Sequence, residues 1–161
     1  MSLLPKPTPA PTPKTKDVAT IATLYAIILI ILSVTQLFTY EDFLQLVVSF
    51  NLPGGEQFSY FLTSLLVVAE VFALPFLLRL SLSKAFRWFS LGCMWLVPVI
   101  WLFITLWLAG KDLDFANIGF LGTLVNIMPG WWAIFISLSF IILAAWSTWG
   151  MWPLGKPVKK K

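Results

Sequence analysis

The chain contains no histidine and a single cysteine, Cys93. A disulfide within the chain and a paired-thiol redox motif are therefore excluded, as is a haem or metal ion held through imidazole. Charge is also scarce: 11% of the 161 residues are charged and 59% are hydrophobic. A water-soluble domain of this length carries about 25% charged and roughly 45–50% apolar residues. One small core cannot hide that excess, and lipid is the solvent that suits it. No Ser within an apolar run has a Lys or acid close by in sequence, and Pro53-Gly54-Gly55 is followed by no Lys. Neither a nucleophile–base pair nor a phosphate-cradling loop is indicated. The net charge of +4 does not point to nucleic acid, because the basic residues stand in the tails and one short turn.

What the chain does have is four apolar runs, about 18–38, 58–78, 88–109 and 131–151. Each is close to the ~20 residues that cross ~30 Å of hydrocarbon at about 1.5 Å per residue. No alternation of polar and apolar residues suggests a barrel. The 9 Trp fall mostly near the ends of the runs, where an indole sits in lipid with its N–H toward water. The expected fold is all-α, an integral membrane four-helix bundle over residues 18–152. It is flanked by a Pro/Lys-rich tail, 1–17, and a basic tail, 153–161. Pro5, Pro7, Pro9, Pro11 and Pro13 forbid a helix in the first tail and predict an extended, solvated tether. A full-length span follows its charges, unlike the short apolar stretch of a signal peptide.

Basic residues set the expected orientation. Of the 11 Lys and Arg, only Lys111 falls in a connection assigned to the far side. Lys6, Lys14 and Lys16 precede the first span, Arg79, Lys84 and Arg87 adjoin the turn between the second and third, and Lys156, Lys159, Lys160 and Lys161 follow the fourth. The positive-inside rule then places both termini in the cytoplasm, in a multi-pass protein of a prokaryotic inner membrane. The far connections hold Glu41, Asp42, Glu56, Asp112 and Asp114, which read as a solvated acidic surface. Tyr40–Gln57 predicts a short helix capped by Asp42, stopped by Pro53-Gly54-Gly55, with its apolar residues on the bundle mouth. Asp114–Met128 predicts an interfacial or re-entrant segment, too interrupted for a fifth span.

Glu70 is the one charged residue deep in a run, about 3 Å past the middle of the second. A carboxylate there costs at least a few kcal/mol, so it must be protonated, hydrogen-bonded or beside water. Setting the spans at equal depth brings Tyr25 and Trp95, both donors, to its level. Arg79, nine residues on, is too far for a direct pair. Two readings stand: Glu70 is a ligand- or proton-handling group, or it is a buried acid that locks helices together. Pro75 and Pro98 are expected helix kinks that free the carbonyls of Val71 and Met94 and can open a pocket beside Glu70. Thr35 and Gln36 read as polar residues near the interface. Cys93 reads as a small packing residue, and Ala69/Ala73 and Ala133/Ser137 have the spacing of close helix contacts.

The stretch from Val18 to Leu108 resembles the DoxX/MauE superfamily of small four-span membrane proteins. The likeness is carried by Gln36-Leu37-Phe38, by Phe43 to Leu52-Pro53, by Val68-Ala69-Glu70-Val71, and by Leu74-Pro75-Phe76-Leu77-Leu78-Arg79 before a short basic turn. In that family an acidic residue recurs in the second span, and Glu70 stands in its place. The family's usual Gly-x-x-Lys near the end of span one appears here as Ser33-Val34-Thr35-Gln36. The resemblance implies a four-helix bundle and, in some relatives, an auxiliary role beside redox enzymes.

The expected function is that of a non-catalytic membrane subunit that anchors or completes a larger complex, respiratory or redox in character. The alternatives are a quinone- or proton-handling redox partner using Glu70, and a small transporter or channel subunit. The expected partners are the lipid bilayer and other membrane subunits, not nucleic acid. No covalently bound cofactor and no metal is expected, and a quinone or lipid is the candidate ligand.

Overall fold

No Pro or Gly interrupts the first apolar run, and one continuous helix forms, α1 (Lys16–Phe38). It starts two residues before the apolar run because the Thr15 hydroxyl accepts from the Val18 N–H, 3.3 Å away, and caps it. The computed structural model describes residues 8–111 and 116–152. The first part of the N-terminal tail, the basic C-terminal tail, and Asp112 and Asp114 lie outside the described residues. Among those described, the remaining elements are α2 (Tyr40–Ser49), α3 (Gly55–Leu77), α4 (Lys84–Ala109) and α5 (Trp131–Gly150). The structure is all-helical, and α1, α3, α4 and α5 are each long and apolar enough to cross a membrane.

The short outer helix exists, with different ends from those expected. Asp42 lies inside its first turn, and Thr39 is the N-cap without a capping side-chain bond. The Thr39 hydroxyl is engaged elsewhere: it donates to the Thr35 carbonyl and accepts from the Thr123 N–H. Pro53-Gly54-Gly55 does not stop α2, which ends at Ser49 with Phe50 as C-cap; it opens α3, with Gly54 as N-cap. Phe43 and Val47 of α2 are buried while Glu41, Asp42 and Gln45 face out, as the mouth-covering reading requires.

The packing order is a closed ring in which α1 touches α3 and α5, and α4 touches α3 and α5, with α2 laid on α3. The ring's interior is lined by small and apolar side chains such as Ala22, Ala26, Leu66, Ala69, Ala73, Met94 and Ala144. Its outside is apolar too: Leu24, Ile31, Phe61, Phe135, Ile142 and Trp149 are all exposed. A surface of that kind is stable only in lipid, which makes this a multi-pass membrane bundle. Lys14 N–H donates to the Gly150 carbonyl at 3.1 Å, and Thr8 N–H to the Leu82 carbonyl at 3.0 Å. The start of α1, the α3–α4 turn and the end of α5 therefore share one end of the bundle, hereafter the inner end.

Those contacts revise the expectation of a solvated tether. From Thr8 onward the tail is extended but docked. Arg87, buried at 6% exposure, donates through Nη2 to the carbonyls of Thr8 and Pro9, both 2.9 Å away, and to the Thr8 hydroxyl at 3.1 Å. Proline lacks an N–H but keeps its carbonyl, so a Pro-rich strand offers acceptors with few competing donors, which suits a buried guanidinium. The Lys14 ammonium then sits 4.5 Å from the Trp149 ring centroid.

Pro75 and Pro98 lie inside α3 and α4, and side chains from neighbouring helices bond the backbone near them. The Met94 carbonyl, freed by Pro98, accepts from the Tyr25 hydroxyl at 3.3 Å. Near Pro75, the Ser90 hydroxyl donates to the Phe72 carbonyl at 2.6 Å and accepts from the Phe76 N–H at 3.0 Å. Reuse of freed backbone groups by Ser and Tyr is how spanning helices tolerate Pro. Cys93 is buried and free, and Ser137 reaches the Thr105 hydroxyl at 3.4 Å where α5 meets α4.

Where α1 and α5 meet at the inner end, a Cβ on Gly150 would overlap Val18 Cγ1 and Cγ2. Val18 is β-branched and cannot swing clear. Gly150→Ala should therefore lower the stability of the purified protein by about 1–3 kcal/mol. Adding Val18→Ala should restore much of that loss, as read by thermal unfolding in detergent.

Candidate functional site

Glu70 has no exposed surface, and its neighbours come from two other helices and a loop. Its Oε1 accepts from the Gln36 Nε2 of α1 at 3.2 Å and from the Trp101 Nε1 of α4 at 3.4 Å. The same Gln36 nitrogen donates to the Phe120 carbonyl at 3.0 Å, and the Phe120 ring lies 4.4 Å from that of Trp101. One amide thus joins α1, α3 and the outer loop, while the indole adds α4.

Phe120 is carried by the segment predicted to be interfacial or re-entrant. Among its described residues it is an irregular loop folded into the outer mouth, with Asn117, Ile118 and Phe120 buried. Asn117 organises it: Nδ2 donates to the Gly122 carbonyl at 3.0 Å, and Oδ1 accepts from the N–H groups of Gly119 and Ile127. Gly122 has φ +60°, and a Cβ there would meet the Thr39 hydroxyl and the Thr35 carbonyl, so the loop backbone lies directly on the end of α1. Non-helical backbone at this position is acceptable because protein, not lipid, surrounds it.

Tyr25 and Trp95 are not hydrogen-bonded to Glu70. The Tyr25 hydroxyl serves Met94, and the Trp95 Nε1 donates to Thr148 Oγ1 at 2.9 Å. Equal-depth alignment does not find the groups that bond Glu70, because α3 is shifted outward along α1. Gln36 stands two residues from the outer end of α1, yet it meets a carboxylate seven residues from the inner end of α3. Tyr40, just past α1, bonds Ser64 of α3 at 2.7 Å, so α3 continues outward for several residues beside α2. Tyr25 lies about 16 Å inward of Gln36 along α1, and Trp95 about 9 Å inward of Trp101 along α4. Gln36, expected at the interface, is fully buried instead. The sequence did carry a signal for it: Ala22, Ala26, Leu29, Ser33 and Gln36 recur every three or four residues and form the buried, small-residue face of α1. Trp101 had no comparable signal among the chain's many Trp.

Two buried oxygens in this cluster, Glu70 Oε2 and Gln36 Oε1, have no hydrogen-bond partner. Among the described residues no Lys or Arg pairs with Glu70. What the cluster lacks is a donor, and a proton on the Glu70 carboxyl group supplies one. Of the two described cavities, one lies along α1 beside Arg79 and the other around Leu52 and Glu56; neither is lined by Glu70, and Pro75 and Pro98 line neither. The site can therefore hold a proton and hold helices together. No family model matches the chain, and no curated protein or solved structure does.

Gln36→Leu removes two hydrogen bonds at once and leaves the Glu70 carboxyl and the Phe120 carbonyl short of donors. Interhelical bonds in membranes are worth about 0.5–2 kcal/mol each. A loss of about 2–3 kcal/mol is expected in unfolding titrations in mixed micelles, with the outer loop becoming more sensitive to added protease.

Proposed function

We propose that this chain is a non-catalytic integral membrane subunit that anchors or completes a larger membrane complex. The observation that carries the reading is the closure of the Glu70 cluster. The most functional-looking residue of the chain is sealed between three helices and a plugging loop, with its polar neighbours spent on holding those elements together. The broad apolar surface of α5, with Trp131, Phe135, Leu138, Ile142 and Trp149 exposed, leaves ample area for lipid and for a partner's helices. The basic residues of the inner end support a cytoplasmic position for both termini in a prokaryotic plasma membrane. The resemblance to the DoxX/MauE superfamily favours a redox complex as the assembly.

A second reading, a proton-handling redox partner, is favoured by the two unpartnered oxygens of Glu70 and Gln36. Glu70→Gln separates the two readings, because the new amide supplies the missing donor and removes the exchangeable acid. Under the subunit reading, the variant purified from its native membrane in mild detergent retains the same stoichiometric partner as wild type, with the partner's turnover unchanged. Turnover that falls while the complex stays intact would transfer the assignment to proton handling. Recovery of the wild-type chain alone, or only as copies of itself, would contradict the subunit reading.

A further inference from the structure

The outward shift of α3 has a second effect at its inner end. The helix closes with Arg79 N–H donating to the Phe76 carbonyl and Leu80 N–H to the Pro75 carbonyl. That bonding is a Schellman turn, and its left-handed position is normally glycine. Here it is Arg79, with φ +57°. The left-handed backbone is unfavourable for a side chain with a Cβ, so Arg stands where Gly would be easier. Arg79 lies against the inner half of α1, beyond its first turn. With Ala19, Thr20, Thr23, Leu24 and Ile27 it lines an open groove of about 440 Å³. Thr23 is seven residues along from Lys16, which sets this groove about 10 Å outward from the start of the span.

A guanidinium at that depth needs an anion or water. Among the described residues no carboxylate pairs with Arg79, and no carbonyl accepts from its side chain. The two threonines are already satisfied, donating to the carbonyls of Lys16 and Ala19 in their own helix. The groove is thus cationic at Arg79 and apolar along Leu24 and Ile27, the order of groups that matches a phosphate with acyl chains above it. We propose that this groove binds an anionic phospholipid, its phosphate on Arg79 and a chain along Leu24 and Ile27. A zwitterionic lipid carries its own cation beside the phosphate and competes less well.

The test is native mass spectrometry of the full chain released from nanodiscs containing equal amounts of phosphatidylglycerol and phosphatidylcholine. Wild type should retain phosphatidylglycerol about fivefold over phosphatidylcholine. Arg79→Gly, which suits the left-handed turn and should melt no lower than wild type in lipid-free detergent, should lose that preference. Thr23→Phe, which fills the groove and leaves Arg79 in place, should also lose it. Equal retention by wild type and Arg79→Gly would overturn the proposal, as would a preference that survives Thr23→Phe. Displacement of the retained lipid by inorganic phosphate would assign the groove to a soluble anion and equally overturn it.

Discussion

The whole arrangement follows from the difficulty of keeping a carboxyl group away from water in a protein whose outer surface is hydrocarbon-facing. Glu70 has no exposed atoms and no cation within the described residues, so its hydrogen bonds must come from neutral donors on other elements. Gln36 and Trp101 supply them, and supplying them fixes how far α1, α3 and α4 slide past one another. Because the amide that reaches Glu70 sits near the outer end of α1, α3 is displaced outward. That displacement leaves α3 protruding beside α2 at one end and sets Arg79 against the inner half of α1 at the other. The plugging loop is part of the same arrangement, since Phe120 offers its carbonyl to Gln36 and its ring to Trp101.

Both ends of the bundle are closed by segments without regular structure, through different chemistry. At the outer mouth Asn117 folds the loop on itself and the glycine at 122 lets it lie on α1. At the inner end a proline-rich strand lends its carbonyls to Arg87. Trp88 and Trp152 meet edge to face there, at 5.5 Å, while Trp107 lies under the Lys111 ammonium at the outer side. Aromatic rings with cations at both ends are what a bundle needs to hold its depth in a bilayer.

Much of this fold was legible in the sequence because hydrocarbon imposes length and polarity on each span independently of its neighbours. The four spans, the short outer helix and the depth of Glu70 in its run follow from the sequence pattern, whereas the side of α3 that Glu70 faces does not, because every face of that run is apolar. What could not be read was relative depth. Nothing in a run of Leu, Ile and Val states where it stands against the next run, so equal depth brings Tyr25 and Trp95 to the level of Glu70 and leaves Gln36 at the interface. Depth is settled by single long-range polar bonds, such as Gln36 to Glu70 across 34 residues. Likewise, the docking of residues from Thr8 onward depends on Arg87, a partner 79 residues away. The run of prolines predicted the extended conformation but not the surface it lies on.

Gln36 and Glu70 act as one energetic unit that sets the helix register. A double-mutant cycle with Gln36→Leu, Glu70→Leu and the double variant, followed by unfolding in mixed micelles, measures this directly. The predicted result is a coupling energy of about 1 kcal/mol or more, with the double variant more stable than the sum of the single losses implies. Additive losses, with coupling indistinguishable from zero, would contradict the account and leave the register of α3 to apolar packing alone.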